Sequence, residues 1–182
     1  MRSIVFFVEE PSVKALLQQV LPRLFPELIA QYVVFEGKQD MEKRLEFRLI
    51  HWQVPNTRFV IIRDQDSEDC ILVKERLLQK CSQSGKKHCL VRIICHELET
   101  WYLGDLNAVA KAFNIPKIVG KQATKKYRQP DLLSNPKQEL QRLVPEYQPI
   151  DGSRRIGTYL DLRNNRSHSF GVFIRGIEKI LA

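Results

Sequence analysis

Three short apolar runs in the first hundred residues each end in acid. Ile4-Val5-Phe6-Phe7-Val8 leads into Glu9-Glu10, Phe59-Val60-Ile61-Ile62 passes through Arg63 into Asp64-Gln65-Asp66, and Leu90-Val91-Arg92-Ile93-Ile94 passes through Cys95-His96 into Glu97-Leu98-Glu99. Runs this short and this rich in Val, Ile and Phe read as strands buried on both faces, which is the pattern of a parallel sheet. Ligands of open α/β sheets collect beyond the carboxyl ends of the strands, so the acids are expected to meet along one edge. Carboxylates crowded there repel one another and titrate upward unless a cation holds them, and their oxygens suit a hard ion such as Mg²⁺ or Mn²⁺.

Between the runs the pattern changes to a helical period. Ser12 can cap a helix with Leu16, Leu17, Val20, Leu21 and Leu24 on one face, ending near Pro26. A second strand is expected over Ile29–Phe35, and a helix from Asp40 to about Trp52, closed by Pro55. Beyond the third strand, Asp66 or Ser67 can cap a helix that turns Ile71, Leu72, Leu77 and Leu78 inward, and Ser84-Gly85-Lys86-Lys87 forms the loop before the fourth strand. The expected fold is α/β and Rossmann-like: a mainly parallel sheet with helices on both faces, built from right-handed βαβ units.

The charge distribution divides the chain. Residues 1–105 hold fifteen Lys and Arg against fifteen Asp and Glu, while residues 106–182 hold fourteen against six, so the whole net charge of +8 lies in the later part. We therefore expect an α/β domain over 1–105 and a basic, mainly helical extension over 106–182. Leu106–Ala112 and Pro136–Leu143 read as helices, the second capped by Asn135, and Ser169 can cap a last amphipathic helix through Phe170, Phe173, Ile174, Ile177 and Leu181. Lys117–Arg128 and Gly152–Gly157 read as exposed basic loops. A positive surplus of this density attracts the phosphates of nucleic acid, and Lys38, Lys74, Lys125, Lys126, Arg128, Arg154, Arg155, Arg163 and Arg166 are the candidates to contact them. Trp101, Tyr102 and Leu103 are expected to pack the joint between the two parts.

Cys70, Cys81, Cys89 and Cys95 show no C-x-x-C pair and no regular framework, which fits reduced thiols in the cytoplasm. The apolar run after Met1-Arg2-Ser3 is too short and too acidic in its sequel for a signal peptide or a membrane span.

Val8-Glu9-Glu10-Pro11-Ser12, Asp64-Gln65-Asp66 and Leu98-Glu99-Thr100-Trp101-Tyr102-Leu103 together resemble the Toprim pattern, in the branch found in nucleases of the overcoming-lysogenization-defect (OLD) type and related phage-defence proteins. The same blocks, with Gly37-Lys38-Gln39-Asp40, Arg63–Cys70, Glu97–Asp105 and Asn165–Phe170, are similar over nearly the whole chain to a bacterial family known only as a domain of unknown function. The resemblance implies that Glu9 stands for the lone Toprim glutamate, Asp64 and Asp66 for its Asp-x-Asp, and Glu99 or Glu97 for the later acid of the nuclease branch. Glu10 replaces a usual glycine, and Ser12 stands where a further acid is common.

The implied activity is Mg²⁺- or Mn²⁺-dependent cleavage of DNA or RNA, with Glu9, Asp64 and Asp66 catalytic and Glu9, Asp64, Asp66, Glu97 and Glu99 holding metal. No G-x-x-x-x-G-K-[ST] phosphate loop occurs, so an ATPase of such a system would be a separate chain. Two other readings of the residues stand beside it. One is a Toprim-like module that binds nucleic acid or a partner protein without cutting. The other reads Asp64-Gln65-Asp66-Ser67 as a haloacid-dehalogenase-like phosphatase loop, which normally follows the first strand, whereas here it follows the third.

Overall fold

The computed structural model describes residues 2–86 and 88–182; Lys87, expected in the loop before the fourth strand, lies outside them with Met1. Four strands, β1 (Arg2–Val8), β2 (Leu28–Val34), β3 (Arg58–Asp64) and β4 (Cys89–Ile94), form one sheet in the order β2-β1-β3-β4. Every neighbouring pair is parallel, with Val8 beside Val34 and Ile62, and Asp64 beside Ile94, so all four carboxyl ends lie on one edge.

Strand alternation sorts the core into two layers. Val5, Phe7, Phe59, Ile61 and Val91 pack under α2 (Lys38–Ile50) and α3 (Cys70–Gln83). Ile4, Phe6, Val8, Val60, Ile62 and Ile94 pack on the other face under α1 (Pro11–Leu24) and the helices that follow β4. Those are α4 (Glu99–Leu103), α5 (Leu106–Phe113), α6 (Pro136–Leu143), α7 (Pro149–Tyr159) and α8 (His168–Leu181), with 3₁₀ segments at Pro116–Ala123 and Pro130–Leu132. Both faces of the central strands β1 and β3 are covered, which is why Ile4–Val8 and Phe59–Ile62 are apolar and buried. No described helix is long and apolar enough to cross a membrane.

Residues 106–182 share the apolar core of β1 and α1. Trp101 is buried where the two parts meet, 5.1 Å from the Phe173 ring and 5.2 Å from Phe170, and its indole N–H donates to Ser169 at 2.9 Å. A fully buried aromatic of this kind contributes about 1.5–3 kcal/mol, enough to make α8 part of the sheet's covering layer rather than a loose appendage.

Several local expectations are corrected. Ser12 lies inside α1, because Pro11 is preset for the first helical position and Glu10 becomes the cap residue. Asp69, not Asp66 or Ser67, caps α3, accepting from Ile71 and Leu72 N–H at 2.8 and 3.1 Å. Of the residues expected inward only Leu77 is buried; it lies with Val73 and Cys81 on the one i, i+4, i+8 face that packs on the sheet, which leaves Ile71, Leu72 and Leu78 exposed. Asn135 occupies the expected cap position of α6, though without a side-chain bond, and Ser167 rather than Ser169 caps α8.

Gly152–Gly157 is not an exposed loop but the middle of α7, which packs on α1. A Cβ on Gly157 would sit 2.9 Å from Gln19 Cβ, and one on Gly152 would sit 2.3 Å from the Tyr147 ring, so these glycines allow close packing rather than a turn. The stretch Lys117–Arg128 is partly 3₁₀, with Ile118 and Tyr127 buried.

Candidate metal and nucleic-acid site

Glu9 and Asp64 meet at the sheet's carboxyl edge. Glu9 leaves β1, and its carbonyl is fixed by Gly37 N–H at 3.0 Å. Its carboxylate reaches across to β3 and accepts from Asp64 N–H at 3.1 Å. Asp64 is almost fully buried; one carboxylate oxygen accepts from Leu98 N–H at 3.3 Å, while the other, Oδ1, has no protein partner. An orphaned buried carboxylate oxygen costs free energy unless the proton or a cation is there to meet it.

Burial pushes Glu9 up from its ordinary value to about 7, against the backbone bond from Asp64 and with a further push from the charge of Asp66. Asp64 is driven well above the usual carboxylate range by burial first and then by the charges of Glu9, Glu10 and Glu99. Glu10 is half-buried at the head of α1, where its charge is one of those that raise Asp64.

Asp66 does not point along with Asp64. An i, i+2 alignment needs extended backbone, but β3 ends at Asp64 and Asp66 adopts a left-handed φ of 55°. Its N–H donates to His96 O at 2.7 Å, and His96 is itself left-handed at 56°, so the loops after β3 and β4 are pinned together. The Asp66 carboxylate is held instead by Lys38 Nζ at 2.9 Å. Glu97 accepts from Lys137 N–H at 2.9 Å in the first turn of α6. Glu99 is buried, raised by that burial, and accepts from the Tyr147 hydroxyl at 2.8 Å.

Behind the edge lies Arg63, 1% exposed, paired with Glu42 at 2.6 Å and with Glu68, its Nε 3.9 Å from Glu9. Sequence reading missed Arg63 and Tyr147 as supports of the acids. An arginine inside an apolar strand run was the available signal for the first; none marked the second.

Among the described residues, no three His, Cys, Asp or Glu side chains are gathered to cage an ion unaided. The Glu9–Asp64 pair nonetheless suits Mg²⁺ or Mn²⁺, because Mg²⁺ commonly takes one or two carboxylates and completes its shell with water and substrate phosphate. The unpartnered Asp64 Oδ1 is the atom that fits this role best.

The basic candidates separate into two sets. Lys38 is committed to Asp66, Lys126 to Glu139 at 2.6 Å, and Arg163 to Glu178. Arg155 bonds the Ala112 carbonyl at 2.7 Å and lies over the Phe113 ring at 4.1 Å, so it is a packing residue of α7 and α5. Lys74, Lys125, Arg128, Arg154 and Arg166 are exposed and form no ion pair among the described residues.

The sequence matches the family described as Domain of unknown function (DUF4276) over residues 8–178, nearly its whole length. The chain belongs to that family. None of the curated proteins matches it. Two solved structures share its fold. The C-terminal region of the Burkholderia pseudomallei OLD protein aligns over 100% of this chain and 98% of that one, with a TM-score of 0.59 and 14% identity. The C-terminal region of the Xanthomonas campestris pv. campestris OLD protein aligns over 99% and 95%, with a TM-score of 0.52 and 14% identity. The DUF4276 chain is thus similar in fold, from end to end, to the C-terminal regions of OLD proteins.

Proposed function

We propose that this DUF4276 chain is a Toprim-type nuclease dependent on Mg²⁺ or Mn²⁺. The observation that carries the reading is the buried Glu9–Asp64 pair, with a carboxylate oxygen left unpartnered at the sheet edge where ligands collect. Glu9 and Asp64 would hold the ion, with Asp66 available on release from Lys38 and with Glu97 and Glu99 on the β4 side. Bound there, the ion would offset negative charge on the attacking and leaving oxygens of an in-line phosphodiester displacement. Glu9 would either complete the ion's shell or act as the general base for the attacking water; its rise to about 7 belongs to the ion-free protein, because a bound cation would lower it. Asp64 positions that edge through Leu98 N–H, and Tyr147 fixes Glu99.

The test is cleavage of single- and double-stranded DNA and RNA by purified protein with Mg²⁺, Mn²⁺ or chelator. Cleavage that requires the ion supports the reading; cleavage that persists in chelator contradicts it. A second reading, a module that binds nucleic acid or a partner without cutting, is favoured by the engagement of Asp66 with Lys38, which leaves fewer free ligands. It predicts binding without ion-dependent product. By the same resemblance to phage-defence nucleases, a separately encoded ATPase is the proposed partner; the cytoplasm is the proposed location on the irregular spacing of the four cysteines.

The free basic residues give a further expectation. If Lys125 and Arg128 track a nucleic-acid backbone, log K against log [salt] falls with a slope of about −0.7 to −0.9 per phosphate neutralised. Replacing both with Ala should flatten the slope by up to about two contacts and weaken all sequences alike. Lys126→Ala should do less, because Lys126 is held by Glu139. Filter binding across a salt series measures it; an unchanged slope in the Lys125/Arg128 variant assigns that surface to another task.

A further inference from the structure

A polar cleft of about 710 Å³ opens on the helical layer, where the end of α1, the start of α5 and the end of α7 meet the loop of residues 160–164. It lies at the far end of α1 from the acidic edge, a separation of about 20 Å at ~1.5 Å per helical residue. Its walls are held by internal bonds. Arg23 donates to Gly157 O at 2.8 Å and to Leu160 O at 2.9 Å, closing the end of α7. Asp105 caps α5 by accepting from Ala108 N–H at 3.0 Å, and its other oxygen accepts from Asp161 N–H at 2.7 Å. Asp161 in turn accepts from the N–H groups of Arg163 and Asn164, both at 2.9 Å.

The two carboxylates that line the cleft are therefore engaged by backbone donors, and what remains is a surplus of side-chain donors. Lys111 is exposed and forms no ion pair, and the Asn107 amide and Tyr159 hydroxyl form no hydrogen bond, among the described residues. Tyr159 keeps 49% of its surface exposed beside a floor of Leu24, Leu160 and Leu162. Its distance from Lys111 is fixed by the packing of α7 on α5: Arg155, one helical turn before Tyr159, bonds the carbonyl of Ala112, the residue after Lys111. An accessible ring with a free cation next to it can take a nucleotide, because the ring stacks on the base while the ammonium meets the phosphate.

We propose that this cleft binds one nucleotide unit of a single-stranded nucleic acid, with the base on Tyr159, the phosphate on Lys111 and the Asn107 amide donating to base or sugar oxygens. The inference extends the nucleic-acid side of the proposed function and needs no cleavage at the acidic edge. Stacking and one phosphate contact read no base edges, so the cleft accepts any sequence. A duplex keeps its bases stacked inside and offers the ring none. A free mononucleotide carries the same chemistry as one unit of the strand.

The test is fluorescence anisotropy of labelled single- and double-stranded DNA and RNA with the full chain in chelator, so that binding is read without ion-dependent cleavage. Single strands should bind more tightly than duplexes. Tyr159→Ala should weaken single-strand binding about tenfold, on the scale of one lost base stack, while Tyr159→Phe, which keeps the ring, should stay within about twofold of wild type. Lys111→Ala should flatten the slope of log K against log [salt] by about 0.7, one phosphate contact, whereas Tyr159→Ala should leave the slope in place. Both side chains are exposed, and melting curves establish that the variants fold. Adenosine and uridine monophosphates added as competitors separate the two sources: displacement of the strand shows that free nucleotides share the cleft, and binding that resists them assigns it to the polymer. Wild-type binding without ion-dependent cleavage would support the cleft and count against the nuclease reading alone. Equal single-strand affinity in wild type and Tyr159→Ala, duplexes bound more tightly than single strands, or no binding of any of these ligands overturns the proposal.

Discussion

Glu9→Gln should lower ion-dependent phosphodiester cleavage at least about a hundredfold, the scale on which a positioned acid-base group acts. The substitution keeps the side chain's length and one oxygen able to accept from Asp64 N–H, so the edge stays in place while both the exchangeable proton and a metal-binding charge are lost. Asp64→Asn should be at least as damaging, because it removes the unpartnered oxygen that the ion needs. Single-turnover cleavage by wild type and both variants, with circular dichroism to establish folding, measures the loss. Wild-type rates in Glu9→Gln would place the chemistry elsewhere. A phosphoryl group trapped covalently on Asp64 would instead favour the phosphatase reading of Asp64-Gln65-Asp66-Ser67.

The same substitution should stabilise the metal-free protein at pH 8. Glu9 titrates near 7 in the folded state against 4.5 for the ordinary group, so between those values the folded state holds more protons than the unfolded chain. Stability therefore falls as pH rises through that window, and the loss is complete above about 7. At about 1.4 kcal/mol per pKa unit the penalty reaches roughly 3 kcal/mol, which for a chain of this length is about 6–12 °C in melting temperature. Glu9→Gln removes it, so the variant should melt above wild type at pH 8 and close to it at pH 5. Melting curves at the two pH values in chelator provide the check. A variant that melts at or below wild type at pH 8 would show that Glu9 is ionised without strain. Residues kept for function at a cost in stability behave in the predicted way.

How much of this was legible in the sequence depended on whether a residue's neighbours in space were also its neighbours in sequence. The strands and their acidic ends could be read because burial on both faces makes each run apolar, and because Glu9 and Asp64 follow those runs directly. The orientation of Asp66 could not. It turns on a left-handed backbone position fixed by His96 O, thirty residues away, and on Lys38. Gly152 and Gly157 looked like loop residues because glycine marks turns and close helix contacts alike, and only Tyr147 and Gln19 decide between them. Arg155 looked like a phosphate ligand until Ala112 O and Phe113 claimed it. Composition gave the excess of positive charge in residues 106–182, yet Lys126 and Arg163 are occupied by Glu139 and Glu178.

The central claim is that Glu9 and Asp64 hold a divalent ion, and a melting titration with Mg²⁺ and Mn²⁺ at pH 8 tests it most directly. An ion that binds only the folded state stabilises it by about 2.7 kcal/mol at a hundred times its dissociation constant. Wild type should therefore gain several degrees, in step with ion concentration, while a Glu9→Gln/Asp64→Asn double variant, already relieved of the carboxylate repulsion, should gain almost nothing. Equal ion-induced shifts in the two proteins, or no shift in wild type, would contradict the account.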